Sequence, residues 1–181
     1  MTAEEFLQEA AKYEKDLITA RRYLHTHAET GFDLTETLAF VKKELTSMGY
    51  EPVCCGKAGL TVLAGGKKPG KVFLIRGDMD ALPIQEEADV AFPSKTGKMH
   101  ACGHDMHTTM MLGAARLLKE HEDEINGTVK RVFDTSFSPL YIVTTVFKPF
   151  EAYFFVKFYV FICTCLYLCV IIDTRGDLLC M

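Results

Sequence analysis

The chain has 181 residues, enough for one ordinary domain with a sizeable core. A net charge of −4 and an isoelectric point near 5.9 leave no basic surplus, which argues against nucleic acid and against an acidic partner. Its seven cysteines are odd in number and unevenly spaced, and the acidic opening Met1-Thr-Ala-Glu-Glu5 is no secretory leader, so a reducing, cytoplasmic setting is expected rather than a disulfide framework.

In chain order, Thr2 with Glu5 three residues later predicts a capping box. Phe6, Ala10, Tyr13, Leu17, Ala20 and Leu24 then recur at helical spacing, predicting one amphipathic helix to about His25. A second helix is predicted from Thr35, burying Leu38, Val41, Leu45 and Met48 and stopping at Gly49. Pro52–Cys55 and Leu60–Leu63 read as short strands, Gly65–Gly70 as a turn, and Lys71–Arg76 as the strongest strand. The unbroken apolar run Val72–Ile75 predicts a strand covered on both faces, delivering Asp78 and Asp80 at its carboxyl end. A third helix is predicted over Asp105–Glu124, with Met106, Met110, Ala114, Leu117 and His121 along one side. Asn126-Gly127 ends it and Thr128–Phe133 begins another strand. Helices alternating with strands predict an α/β domain.

Composition changes near Phe133. Residues 1–132 hold 12 of the 13 glycines and 5 of the 13 phenylalanines, and the remaining residues hold 8 Phe, 4 Tyr, 4 Cys and one Gly. Two regions are therefore expected, an α/β part over 1–132 and an aromatic-rich apolar tail over 133–181. Within the tail, 153–172 has the length of a membrane span, but Lys157 lies four residues in and the aromatics are spread throughout. The alternatives are a globular element and a non-native continuation from a frameshift or gene-model error. Cys163, Cys165 and Cys169 in so apolar a run read as inert packing residues.

His100-Ala-Cys-Gly-His-Asp-Met-His107 packs a thiol, three imidazoles and a carboxylate into eight residues. Thiolate and neutral imidazole are the ligands that best hold a borderline-soft divalent ion. Cys102 and His104 alternate just before a predicted helix start, so both can converge on one ion while Gly103 turns the backbone. Asp80 either adds a ligand or orients one. The plainer reading makes the three histidines surface residues and Cys102 a small buried apolar group. The acidic strand end upstream favours metal.

Three segments together resemble the M20 peptidases, in the branch of hippurate hydrolases, N-acyl-amino-acid deacetylases and auxin-conjugate hydrolases. These are Arg22-Tyr-Leu-His25-Thr-His27-Ala-Glu29-Thr-Gly31-Phe32, Arg76-Gly-Asp-Met-Asp80-Ala-Leu-Pro83-Ile84 and Met99-His-Ala-Cys102-Gly-His104-Asp-Met-His107. The resemblance covers Met1 to about Val132. It implies part of a zinc-peptidase-like catalytic domain, a mixed sheet flanked by helices, that uses divalent metal (manganese or zinc) to cleave N-acyl amino acids or similar small amides. It further implies metal ligation by Cys102 and His104, with Asp80 supporting them beside the metals. Arg22, His25, His27, Glu29 and Gly31 are implied as structural supports, and Ala28 stands where the family usually has proline.

The family pattern then breaks. Where the family carries an adjacent glutamate pair, one the general base and the other a ligand, this chain reads Arg131-Val-Phe-Asp-Thr-Ser-Phe-Ser-Pro139. No histidine follows His121, and no dimerisation domain is present. Asp134 is the only nearby carboxylate to stand in for the base. The expectation is a truncated, inactive amidohydrolase, its rival a non-enzymatic, membrane-anchored binding protein.

Overall fold

The computed structural model describes residues 2–135, together with two short paired strands at 171–172 and 178–179. The expectations for residues 136–170, including most of the proposed membrane span and the cysteines at 163, 165 and 169, lie outside the described residues. Among the described residues no helix is long and apolar enough to cross a membrane.

Helix α1 (Ala3–Ala11) opens with the expected capping box, Thr2 and Glu5 each satisfying the other's backbone N–H. The single long helix expected from the periodicity is in fact two, because α1 stops and α2 runs over Glu14–Thr26. No glycine or proline causes the break. It falls at Lys12 and Tyr13, where the Tyr13 hydroxyl donates to Glu120 and the Arg116 guanidinium lies 4.7 Å from the ring centre. Contacts to another helix, absent from any local pattern, decide this boundary. Helix α3 (Thr35–Ser47) follows expectation. Val41 and Leu45 are fully enclosed, and Gly49 takes a φ of 84° so that its N–H and that of Tyr50 close onto Thr46 and Leu45. Its first turn has no side-chain cap of its own. Glu29 supplies one from outside, its carboxylate accepting from the N–H groups of Glu36 and Thr37 at 3.1 and 2.8 Å. A structural part for Glu29 is thus visible in the backbone it satisfies.

The strands β1 (Val53–Cys55), β2 (Gly59–Gly65), β3 (Val72–Asp78) and β4 (Thr128–Asp134) form one mixed sheet in the order β1-β2-β4-β3. β2 is antiparallel to both β1 and β4, and β3 runs parallel to β4. The parallel pair requires a crossover, and helix α4 (His104–Glu120) provides it. β3 is half-buried over most of its length, with only Gly77 and Asp78 fully enclosed, so the expected cover on both faces is not complete. Helix α4 ends at Glu120, earlier than expected, and Glu122–Glu124 form a separate 3-10 turn.

The side of α4 that carries Met106 and Met110 faces outward, and the helix packs through a different face. Met106 and Met110 are 53% and 59% exposed, whereas Thr108, Met111, Leu112 and Ala115 are buried. Small residues win this face because the helix lies close to its neighbours: a Cβ on Gly113 would stand 3.2 Å from Leu17 of α2. The core joins Leu34, Val41 and Leu45 to Leu60, Val62, Met79, Leu112 and Phe133.

One charge is built into this core. Arg131 of β4 is completely buried, its Nε and Nη2 lack hydrogen-bond partners, and its guanidinium sits 4.7 Å over the Tyr50 ring with one bond to the Ala114 carbonyl. Burial pushes its pKa down, against the pull of Tyr50. An under-satisfied buried charge costs several kcal/mol, more than a cation–π contact and one hydrogen bond return. Arg131→Met is therefore expected to raise stability by about 1–4 kcal/mol in chemical denaturation. A loss of stability would show that the Tyr50 contact outweighs the cost of burial.

Candidate metal site at the end of the third strand

β3 and the turn after it present Asp78 and Asp80 toward the start of α4, which presents His104 and His107. Positions 104 and 107 are three apart, so on a helix they share a face, and their rings stack with centres 5.4 Å apart. Gly103, at a φ of 77°, makes the turn into the helix that residues with a Cβ rarely adopt.

His104 is the fixed point. Its Nδ1 lies 2.7 Å from the Asp80 carbonyl and 3.2 Å from the Asp80 carboxylate, and the ring is buried. Donation from Nδ1 to that carbonyl leaves Nε2 as the lone-pair nitrogen of the neutral ring, and Nε2 lies 3.6 Å from Asp78 Oδ2. The other Asp78 oxygen accepts from His107 Nδ1 at 2.6 Å. Arg76 donates to Asp78 Oδ2 at 3.0 Å, to Asp134 at 2.7 Å and to the Thr135 carbonyl at 3.1 Å.

Electrostatics follow from these contacts. Burial works against ionisation of Asp78, but Arg76 and the two histidines outweigh it and hold the carboxyl below its usual range. Burial likewise opposes protonation of His104, yet the Asp80 and Asp78 contacts prevail and raise its pKa. Asp134 goes the other way: burial pushes it up to about 6, with Arg76 opposing and the Asp78 and Asp80 charges adding to the rise.

A second polar cluster lies beside the first. His25 bridges Asp105 at 2.8 Å and Glu86 at 2.9 Å, Arg21 pairs with Asp105 at 3.0 Å, and Phe92 meets the His25 ring edge-on. His25 thus ties α2 to the first turn of α4. Neither ring nitrogen of buried His100 has a hydrogen-bond partner, and burial lowers its pKa to about 4.

Among the described residues, Asp78, His104 and His107 are the group whose donor atoms all lie within 4.8 Å of one another. The structure thus brings Asp80 and His104 into direct contact. It seats Cys102, a thiol rather than half of a disulfide, in the half-buried turn two residues before His104, outside that trio. Reading the sequence for soft ligands passed over Asp78 and His107. The signal for His107 was its helical spacing from His104, and that for Asp78 its place two residues before Asp80. One carboxylate and two imidazoles, one of them fixed from behind, are donors that suit a divalent transition ion.

The sequence pattern of peptidase family M20/M25/M40 matches residues 74–136, which hold the whole of this corner. The N-terminal part of the chain belongs to the M20 peptidase family. An N-acyl-L-amino acid amidohydrolase of Geobacillus stearothermophilus is 43% identical over 135 residues, 74% of this chain and 36% of the relative. IAA-amino acid hydrolase ILR1-like 5 of Arabidopsis thaliana is 47% identical over 120 residues, 65% of this chain and 27% of the relative. The crystal structure of the Bacillus subtilis YXEP protein, a dinuclear metal-binding M20 peptidase, superposes with a TM-score of 0.66 at 37% identity. That match covers 80% of this chain and 40% of YXEP. The mixed sheet and its flanking helices thus match part of the M20 fold, and the chain spans about a third of the length of the curated relatives it matches.

Proposed function

We propose that residues 1–136 hold the metal-binding corner of an M20-type amidohydrolase of N-acyl amino acids, since the family match and β4 both run past the expected boundary at 132, and that the remainder to 181 is a separate tail without family character. The observation that carries this reading is the His104 ring, anchored at Nδ1 by Asp80 with Nε2 turned inward to within 3.6 Å of Asp78. In this reading His104 Nε2 and the Cys102 thiolate hold a divalent ion, manganese or zinc. Asp80 is the positioning residue, fixing the tautomer and tilt of His104. A bound divalent ion supplies Lewis-acid polarisation of an amide carbonyl and acidifies water at neutral pH.

Hydrolysis also needs a base within hydrogen-bond reach of the attacking water. This chain lacks the family's glutamate pair after β4, and Asp134, the expected stand-in, is held by Arg76 at 2.7 Å. The chain as it stands binds metal in the cytoplasm and does not turn over substrate. The test is to incubate the full chain with N-acetyl- and N-benzoyl-amino acids and manganese or zinc, following amine release. The expected rate equals that of metal alone. Turnover abolished by His104→Ala would contradict the inactive reading while leaving the metal site in place.

A further inference from the structure

We infer that Asp78 and His107 complete the donor set around His104, so that a divalent ion bound to this chain takes a carboxylate oxygen and two imidazole nitrogens from the corner between β3 and α4. The inference rests on the proposal that an ion binds at His104, and it adds donors which the Cys102–His104 pair does not contain.

Three observations converge on it. The carboxylate of Asp78 divides its oxygens between the two rings, Oδ1 at 2.6 Å from His107 and Oδ2 at 3.6 Å from His104. Tetrahedral zinc with ligands at about 2.0–2.1 Å has donors roughly 3.3 Å apart, and all three donor atoms here already lie within 4.8 Å of one another. Small rotations of side chains on fixed backbones close that difference.

The second observation is rigidity. Two of the three donors have support behind them. Asp80 holds His104, while Arg76, tied down by Asp134 and Thr135, holds Asp78. The Asp78 backbone carbonyl also accepts from Thr108 at 3.1 Å, which fastens the strand end to α4 one residue beyond His107. Pre-organised donors lose little conformational entropy on binding.

The third is access. The His107 side chain is 31% exposed while Asp78 and His104 are 10% and 7% exposed, so the cluster opens to solvent on the His107 side and is closed beneath.

The test uses the full chain and zinc or cobalt(II) alone. Titration calorimetry of wild type, Asp78→Asn and His107→Gln is expected to show at least ~10-fold weaker binding in each variant. Because His107 is partly exposed, His107→Gln keeps the test valid if Asp78→Asn fails to fold. In the cobalt-loaded protein, proton NMR is expected to show two paramagnetically shifted, exchangeable ring N–H signals, one of which disappears in His107→Gln. That loss separates a ligand from a merely structural neighbour. Binding within twofold of wild type in His107→Gln, or a single shifted ring signal in the wild type, would overturn the inference and leave the Cys102–His104 pair standing. No ion bound to wild type would remove both.

Discussion

His104→Ala should cost at least ~100-fold in divalent-ion affinity, the largest effect of any single substitution in this chain. Changes to groups that only orient a ligand cost roughly 10–100-fold, and His104 is itself the donor in every arrangement considered for this corner. It is buried, it is the first residue of α4, and its Nδ1 is engaged by Asp80 so that Nε2 alone faces inward. Asp80→Asn should cost less. The shorter contact to His104 comes from the Asp80 backbone carbonyl at 2.7 Å, which the substitution keeps, and the carboxylate contributes the longer one at 3.2 Å. The order of effect, His104→Ala well beyond Asp80→Asn, separates a ligand from its positioning residue. Equal effects would mean that Asp80 itself binds the ion. Binding should also tighten as pH rises through the His104 pKa, which its carboxylate neighbours raise above the ordinary histidine value, because the proton must leave before the ion enters.

Phe133→Ala should destabilise the α/β part by about 3–5 kcal/mol, the cost of emptying a large aromatic site in a closed core. Phe133 is 0% exposed and belongs to the same cluster as Leu34, Val41 and Leu60. On the sheet it stands between Leu60 of β2 and Gly77 of β3. The Gly77 site has no room to collapse inward, since a Cβ there would already meet Met111 at 2.8 Å. A deficit of that size leaves a domain of this length near its unfolding threshold. Guanidinium denaturation of the pair reads it directly. A loss below about 1 kcal/mol would show that β4 is not integral to the core, and with it that the strand joining β2 to β3 is not the one described.

Much of this architecture was legible because it is written in local signals. The Thr2–Glu5 capping box, the Gly49 stop, the apolar strand over Val72–Ile75 and the strand after Gly127 each rest on a few adjacent residues whose preferences agree with the fold. The failures share the opposite cause. The break at Lys12 and Tyr13 depends on Arg116 and Glu120, about a hundred residues away. The Met106–Met110 side lined one face of the expected helix, but α4 buries Thr108, Gly113 and Ala115 on another, with Leu17 of α2 close against Gly113. The site was half visible for the same reason. Cys102 and His104 stand out by residue type, whereas Asp78 matters only because a parallel crossover sets the end of β3 against the first turn of α4. Its partner His107 was in view within the motif, but residue type alone gave it no priority over His100, whose ring nitrogens are buried without hydrogen-bond partners.

The most direct measurement of the central claim is the metal content of the folded, purified chain. After equilibrium dialysis against micromolar zinc, wild type should retain one ion per chain and His104→Ala essentially none, with matching circular dichroism spectra. Wild type emerging without stoichiometric metal, or His104→Ala retaining it in full, would contradict the account.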